Sequence, residues 1–270
     1  MKGFFIFMEL LFLGDIVGDK SFRAVIHFME TNKLDVNFAN IENVAGGFGI
    51  TQNHYQQLIK AGFDGLTGGN HIWDKKEVFT FISQAKIARP YNFPKGVPGK
   101  GFHLINRPEL GLKIGLINVL GRVFMNIVSL SCPFRACDEA IEELKSQGAN
   151  LIIVDMHAEA TAEKITLAHY LDGRVGAIVG THTHIPTADT SILPKGTAYI
   201  TDLGACMSVN SMLGMSYDST INRFLTGIPT RMEIDKNPDI QINGVKIEFN
   251  NAFKAVSIKR IENNNLIKVN

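Results

Sequence analysis

Five short apolar runs, each closing on side chains of the kind that bind metals, constrain this chain more than any other feature. They end in Gly14-Asp15, Asn40-Ile41-Glu42-Asn43, Gly69-Asn70-His71, Asp155-Met156-His157 and Gly180-Thr181-His182-Thr183-His184. Runs of this length between turn residues read as buried strands. The period of two in the last of them is expected to point His182 and His184 the same way. The stretches between the runs carry the helical period instead. Phe22, Val25, Ile26 and Met29 line one predicted helix, which Asp19 is placed to cap. Thr51 and Gly62 bracket a second, with Tyr55, Leu58 and Ile59 inward. Strands alternating with helices predict an α/β fold, and in open α/β sheets ligands collect outside the carboxyl ends of the strands. Every ligand-type residue named above falls at such an end.

Further elements follow the same logic. Asp74 and Glu77 suggest a capping box for a helix with Val78, Phe79 and Ile82 inward. Phe102 to Ile105 and Lys113 to Val119 read as a hairpin around Pro108 to Gly111. Pro133 opens a helix with Ala136, Ala140, Ile141 and Leu144 on one face, and Thr161 another with Ile165, Ala168 and Leu171 inward. After Pro229 the pattern changes to alternation: Met232 and Ile234, Ile240 and Ile242, an Asn243-Gly244 turn, then Val245, Ile247 and Phe249. The expectation is one domain over residues 1–270 with an antiparallel C-terminal portion.

With 270 residues and 45% hydrophobic composition the chain can bury a full core. A net charge of +1 argues against a long nucleic acid held by bulk electrostatics, while a small substrate or a short RNA end fits. Cys132, Cys137 and Cys206 lack metal-site spacing and read as reduced thiols of a cytoplasmic protein. The apolar segment from Met1 to Val17 carries Glu9 and runs into a strand, and it is shorter than the ~20 residues of a membrane span. Residues 1–7 read as an extension, and no membrane partner is expected. Association into homo-oligomers is left open by the sequence.

Glu42 is the residue best suited to bridge two close cations, because an anion between them offsets their repulsion. Asn43 and Asn70 offer neutral oxygens, and Asp15, His157, His182 and His184 complete seven ligands. A mixed nitrogen and oxygen set without thiolates suits iron, manganese or zinc. Two blander readings stand beside this one: Asp15 as the cap of the following helix, and His71 as a core histidine packed near Trp73. Asp155 and Asp202 read as supporting or capping groups, and Arg122 with the glycines of Ala45 to Gly49 as lining for a phosphate pocket. His27, His54, His103 and His169 fall away from strand ends.

Taken together, Leu11 to Gly18, Glu42 to Gly49, Gly69 to Asp74, Asp155 to Thr161 and Gly180 to His184 resemble, in the same order, the motifs of the YmdB-type metallophosphoesterases, a bacterial branch of the calcineurin-like phosphoesterases. The resemblance implies a four-layer α/β sandwich, a binuclear centre usually described with iron, and hydrolysis of 2',3'- and 3',5'-cyclic nucleotides by a metal-bound hydroxide. It implies Asp15, Asn43 and His184 on one metal, Asn70, His157 and His182 on the other, Glu42 between them, and His71 as proton donor. Two departures stand out. Ile41 occupies a position usually held by glycine, and Cys206 to Leu213 differs from the usual glycine- and proline-containing loop. A phosphomonoesterase, and a metal-stabilised RNA-binding or regulatory scaffold without turnover, are the competing functions.

Overall fold

Apolar alternation within the strands builds two facing sheets, because successive side chains leave a strand on opposite faces. The computed structural model describes residues 8–261 and 266–269, so the predicted extension at residues 1–7 lies outside the described residues. The chain runs β1 (Met8–Leu13), β2 (Asp15–Ile16), α1 (Gly18–Asn32), β3 (Val36–Asn40), α2 (Gln52–Ala61), β4 (Gly65–Thr67), α3 (Val78–Phe81) and β5 (Ile87–Ala88). Next come β6 (Phe102–Arg107), β7 (Leu112–Leu120), α4 (Pro133–Ser146), β8 (Leu151–His157), α5 (Thr161–Leu171) and β9 (Ala177–Thr181). The remainder holds β10 (Ser191–Ile192), β11 (Ala198–Ile200), β12 (Ala205–Ser208), α6 (Tyr217–Thr226), β13 (Asp239–Gln241), β14 (Gly244–Phe249), β15 (Ala255–Arg260) and β16 (Leu266–Lys268).

One six-stranded sheet has the order β15-β14-β1-β3-β4-β5 and the other β10-β11-β9-β8-β7-β6. Leu10, Phe12, Val36 and Phe38 of the first meet Ile114, Leu116, Ile153 and Val179 of the second in the central core. The opposite face of the first sheet, with Leu11, Leu13 and Leu66, is covered by Phe22, Val25 and Met29 of α1 and by Leu58 of α2. On the second sheet, Ile117, Ile152 and Val154 are covered by Ala140 and Leu144 of α4 and by Leu167 and Leu171 of α5. Helix, sheet, sheet, helix is the predicted four-layer α/β sandwich. A smaller sheet, β16-β13-β12-β2, closes one end beside Asp15.

Local corrections have local causes. Val17, not Asp19, stands at the N-cap of α1, and Asp19 instead receives His54 Nε2 at 3.0 Å. The capping box at Asp74 and Glu77 does not form: Asp74 binds the His71 ring, Glu77 accepts from the Gln52 amide, and α3 is one turn with Phe79 exposed. Ile165 faces water while Lys164 and Leu167 are buried, so the inward face of α5 is rotated from the predicted one. Asn243-Gly244 is not a hairpin. β13 pairs with β12 and β16, whereas β14 pairs with β1 and β15, so the chain changes sheets there. Buried Asn243 donates to the Ala205 carbonyl at 2.8 Å and accepts from Gly14 N at 3.1 Å, which fixes the crossing. Of the expected alternation at Met232 and Ile234, one bridge forms, between Ile234 and Met215.

Candidate metal centre

All five predicted strand ends converge at one edge of the sandwich. Asp15 follows β1, Glu42 and Asn43 follow β3, Asn70 and His71 follow β4, His157 closes β8, and His182 and His184 follow β9. Glu42, His157 and His182 offer ligand atoms within 4.8 Å of one another. The Nε2 atom of His157 stands 3.0 Å from Glu42 Oε1, 3.0 Å from Asn70 Oδ1 and 3.0 Å from His182 Nδ1. Gly69 makes this approach possible: a Cβ there would collide with the Glu42 carboxylate and come within 2.6 Å of His157 Nε2.

Protons can be assigned around this cluster. The Thr181 hydroxyl donates its one hydrogen to Asp155 Oδ1 at 2.7 Å, so it accepts from His157 Nδ1 at 2.9 Å. His157 Nε2 is therefore bare. His182 Nε2 meets Glu159 Oε2 at 3.3 Å, which places that ring's proton on Nε2 and leaves Nδ1 bare as well. Burial pushes the His157 pKa down to about 4 and that of His182 down to about 3, the latter helped by neighbouring His157, so neither ring gains a second proton near neutrality. With Glu42 ionised, four acceptor atoms thus face one another without a hydrogen between them. A cation is what such a set fits.

A second set lies beside the first. Asp15 is fully buried, and its Oδ2 accepts from the His182 amide at 3.2 Å while Oδ1 has no hydrogen-bond partner. Asn43 Oδ1 is equally orphaned, its amide being tied to the Gly47 carbonyl at 2.9 Å. Leaving such atoms unmatched costs ~1–3 kcal/mol each. His184 turns Nδ1 to the Leu213 carbonyl at 3.2 Å, leaving Nε2 bare. Burial raises the Asp15 carboxyl to about 7 against the opposing pull of His157, and raises Glu42 too. A bound cation reverses that trend by favouring the anions. These donor atoms fit metal ions. Asp15 and His184 lie outside the tight Glu42, His157 and His182 group.

The two loop histidines are not aligned by strand pleat, as the His-x-His spacing suggests. Both have left-handed backbones, φ 101° at His182 and 65° at His184, a conformation that non-glycine residues adopt at a cost. Thr183 between them is clamped by Asp202, whose Oδ2 accepts from its amide at 3.1 Å and its hydroxyl at 2.8 Å. Lys164, fully buried, holds the same oxygen at 2.7 Å. Asp155, raised to about 7 by burial, accepts from Thr67, Thr181 and Asn40 and so supports the His157 side. Asp155 and Asp202 are supporting groups, as read from the sequence. Thr181, Thr67, Asn40 and Lys164 were not read as such. Thr181 could have been found from its place between Gly180 and His182, whereas nothing in the sequence marks Lys164 as buried.

Asp15 does not cap α1, and His71 is not a core histidine. Its side chain is 32% exposed, Nδ1 contacts Asp74 Oδ2 at 2.8 Å, and the ring lies 4.9 Å from that of Phe48. His71 N donates to Glu42 Oε2 at 2.9 Å, which ties this turn to the cluster. Asn70 and His71 diverge, one side chain to His157 and the other to Asp74. Ile41 turns into the core beneath the α1 and α2 layer, so its branch does not crowd Glu42. In the divergent segment Cys206 is buried, and Asn210 and Leu213 take φ of 55°, left-handed turns made without glycine. Arg122 is exposed, with its amide on Glu163. His27, His54 and His103 find partners elsewhere, in Glu30, Thr51 and the Ile87 carbonyl.

The sequence profile of a family described as YmdB-like protein matches residues 11–261. The 2',3'-cyclic-nucleotide 2'-phosphodiesterase of Bacillus subtilis is 42% identical, the match covering 94% of this chain and 96% of that protein. A crystal structure of a hypothetical protein from Thermus thermophilus aligns with TM-score 0.86 at 38% identity, over 94% of this chain and 98% of the other. The crystal structure of a Mycoplasma pneumoniae protein described as a novel phosphatase aligns with TM-score 0.86 at 32% identity, over 94% and 92%.

Proposed function

The chain belongs to the YmdB-like family, and we propose that it is a metal-dependent phosphodiesterase that opens cyclic nucleotides, 2',3'-cyclic nucleotides foremost and 3',5'-cyclic nucleotides with them. The observation that carries this reading is the set of facing lone pairs from Glu42, Asn70, His157 and His182, which no proton joins. These four would hold one ion. Asp15, Asn43 and His184 would hold a second, with Glu42 shared between the two. Iron, manganese and zinc all suit this set, and iron is the family's usual ion.

Bound metals supply the charge that polarises a phosphoryl oxygen and makes water acidic near neutral pH. Two carboxylates against two divalent ions leave the site cationic, which draws a phosphodiester anion. The chain's own contribution to leaving-group chemistry is His71. Asp74 holds its Nδ1–H, so it is the doubly protonated ring whose Nε2–H can pass to the departing ribose oxygen, with Phe48 packed against the ring.

Elemental analysis of purified protein, with turnover measured on cyclic nucleotides, a bis-nitrophenyl diester and nucleotide monoesters, tests the reading. Two ions per chain and preference for the cyclic diesters are expected. Faster hydrolysis of monoesters would point to a phosphatase, the activity for which the Mycoplasma pneumoniae protein is named. Full activity after complete metal removal would discard the metal-dependent reading.

A further inference from the structure

The loop between β7 and α4 presents an aromatic ring to solvent from a frame that is tied down on both sides. Leu120, where the chain leaves β7, is paired with the proposed ligand His157, and Gly121 N donates to the His157 carbonyl at 3.0 Å. Buried Asn92 joins the two ends of the loop, its side chain accepting from Leu120 N at 2.8 Å and its carbonyl from Ser131 N at 3.0 Å. Glu163 accepts from the amides of Arg122 and Val123 at 3.0 and 3.2 Å, and Met125 is buried. Phe124, between these anchors, is 81% exposed and takes a left-handed φ of 61°. Such a backbone costs a non-glycine residue free energy, and a bare ring forgoes the gain of burial. The same frame reaches the other wall of the site, because the Phe93 ring meets that of Trp73 at 6.0 Å, two residues on from His71.

We propose that Arg122 and Phe124 receive the nucleotide that precedes a cyclic phosphate held at the candidate centre, so that the substrate class includes oligoribonucleotides whose 3' ends carry a 2',3'-cyclic phosphate. This rests on the reading of the centre as a cyclic-nucleotide site. Position is the first support: the loop starts beside His157, so a strand whose terminal phosphate lies at the centre passes along it. Charge is the second. Arg122 is exposed and forms no ion pair among the described residues, while the neighbouring Glu163 carboxylate is already engaged by two amides. The third is the ring itself. Single strands are held by a cation on the backbone and an aromatic face on which any base can stack, and this loop offers both within three residues. One cation and one ring make a subsite for a strand end, not a track for long RNA, which agrees with a net charge of +1. A membrane surface calls for a broad cationic rim that Arg122 alone does not supply.

Fluorescence anisotropy on the full metal-loaded chain tests this, with a labelled ribotrinucleotide ending in a 3'-phosphate and the matching 3'-mononucleotide as competitor. The trinucleotide is expected to bind ~10-fold tighter or more. Phe124→Ala is expected to weaken it ~5- to 150-fold, the usual range for one base on one ring, while mononucleotide binding changes far less. Arg122→Gln is expected to flatten the salt dependence of trinucleotide binding by ~0.7 in the log–log slope, with Arg122→Lys restoring it. Metal content should hold in all three variants. Equal affinities for the two nucleotides overturn the proposal, as does a Phe124→Ala variant that weakens both alike. A Phe124→Ala variant altered only in self-association or in binding to anionic vesicles gives the ring another occupant and overturns it too. None of these readouts needs turnover: a chain that fails to hydrolyse cyclic mononucleotides discards the reading of the centre, while the ratio of affinities still decides the subsite.

Discussion

The candidate metal centre and the α6 arm depart from ordinary protein structure in opposite directions. At the centre, polar atoms are buried without partners: Asp15 Oδ1 and Asn43 Oδ1 have none, and four lone pairs around His157 share no proton. On the arm, large apolar side chains are exposed without partners. Folding normally avoids both, since unmatched buried polar atoms and bare apolar patches each raise the free energy of the native state. The first deficit names its complement. Converging oxygens and neutral nitrogens match an ion, whereas the apolar stripe of α6 has no cover among the described residues.

The comparison meets its strongest challenge at Glu42. Among the described residues, Glu42→Ala removes the carboxylate in contact with His157 Nε2 and leaves Asp15 as the one carboxylate of the proposed ligand set. Both ions are expected to be lost and diester hydrolysis to fall to the uncatalysed background. Elemental analysis beside a diester assay checks this. A variant that keeps two ions breaks the reading of the site.

A smaller loss is expected from His71→Ala, which touches chemistry without touching the ligands. Turnover of a cyclic nucleotide should fall ~10²- to 10⁴-fold, the usual contribution of a proton donor. A bis-nitrophenyl diester, whose leaving group departs without a proton, should lose far less, and the metal content should hold. Equal losses on both substrates would make His71 a phosphate-positioning residue instead.

The fold and the proposed ligand residues were legible because both rest on short-range patterns: an apolar run, a turn residue, a ligand side chain. Burial on both faces makes such runs easy to read, and the four layers follow from them. What stayed hidden depended on long-range pairing. Asn243-Gly244 has the composition of a hairpin turn, yet β13 and β14 belong to different sheets, which no local pattern records. The left-handed backbones at His182 and His184 are held by Asp202 through Thr183, and the rotation of α5 that buries Lys164 is fixed by the same carboxylate. Helix α6 is the opposite case. Its period was present at Tyr217, Ile221, Phe224 and Leu225 with Gly227 behind, but a stripe facing water lacks the intramolecular partner that a fold reading looks for.

The support beneath the ligands sharpens the comparison further. Thr181→Val removes the hydroxyl that sets the His157 tautomer and one donor to Asp155. Metal affinity is expected to drop ~10- to 100-fold, as for other groups that orient a ligand, with Thr181→Ser restoring it. Titration with a competing chelator reads this directly. A serine variant as weak as valine would mean that the methyl packing, not the hydroxyl, is what matters.

The smallest expected effect is the coupling between the two regions. Phe224 shares no contact with Thr181 or His157, and the arm reaches the centre only through its base at Leu213 and Met215. Sites without shared partners add to within ~0.3–0.5 kcal/mol, so Thr181→Val combined with Phe224→Asp should lower metal affinity by little more than Thr181→Val alone. Metal titration of the wild type, both single variants and the double variant gives the coupling as one number. A value well above that limit would show that the packing of the arm reaches the centre, with the Leu213 carbonyl on His184 as the physical link.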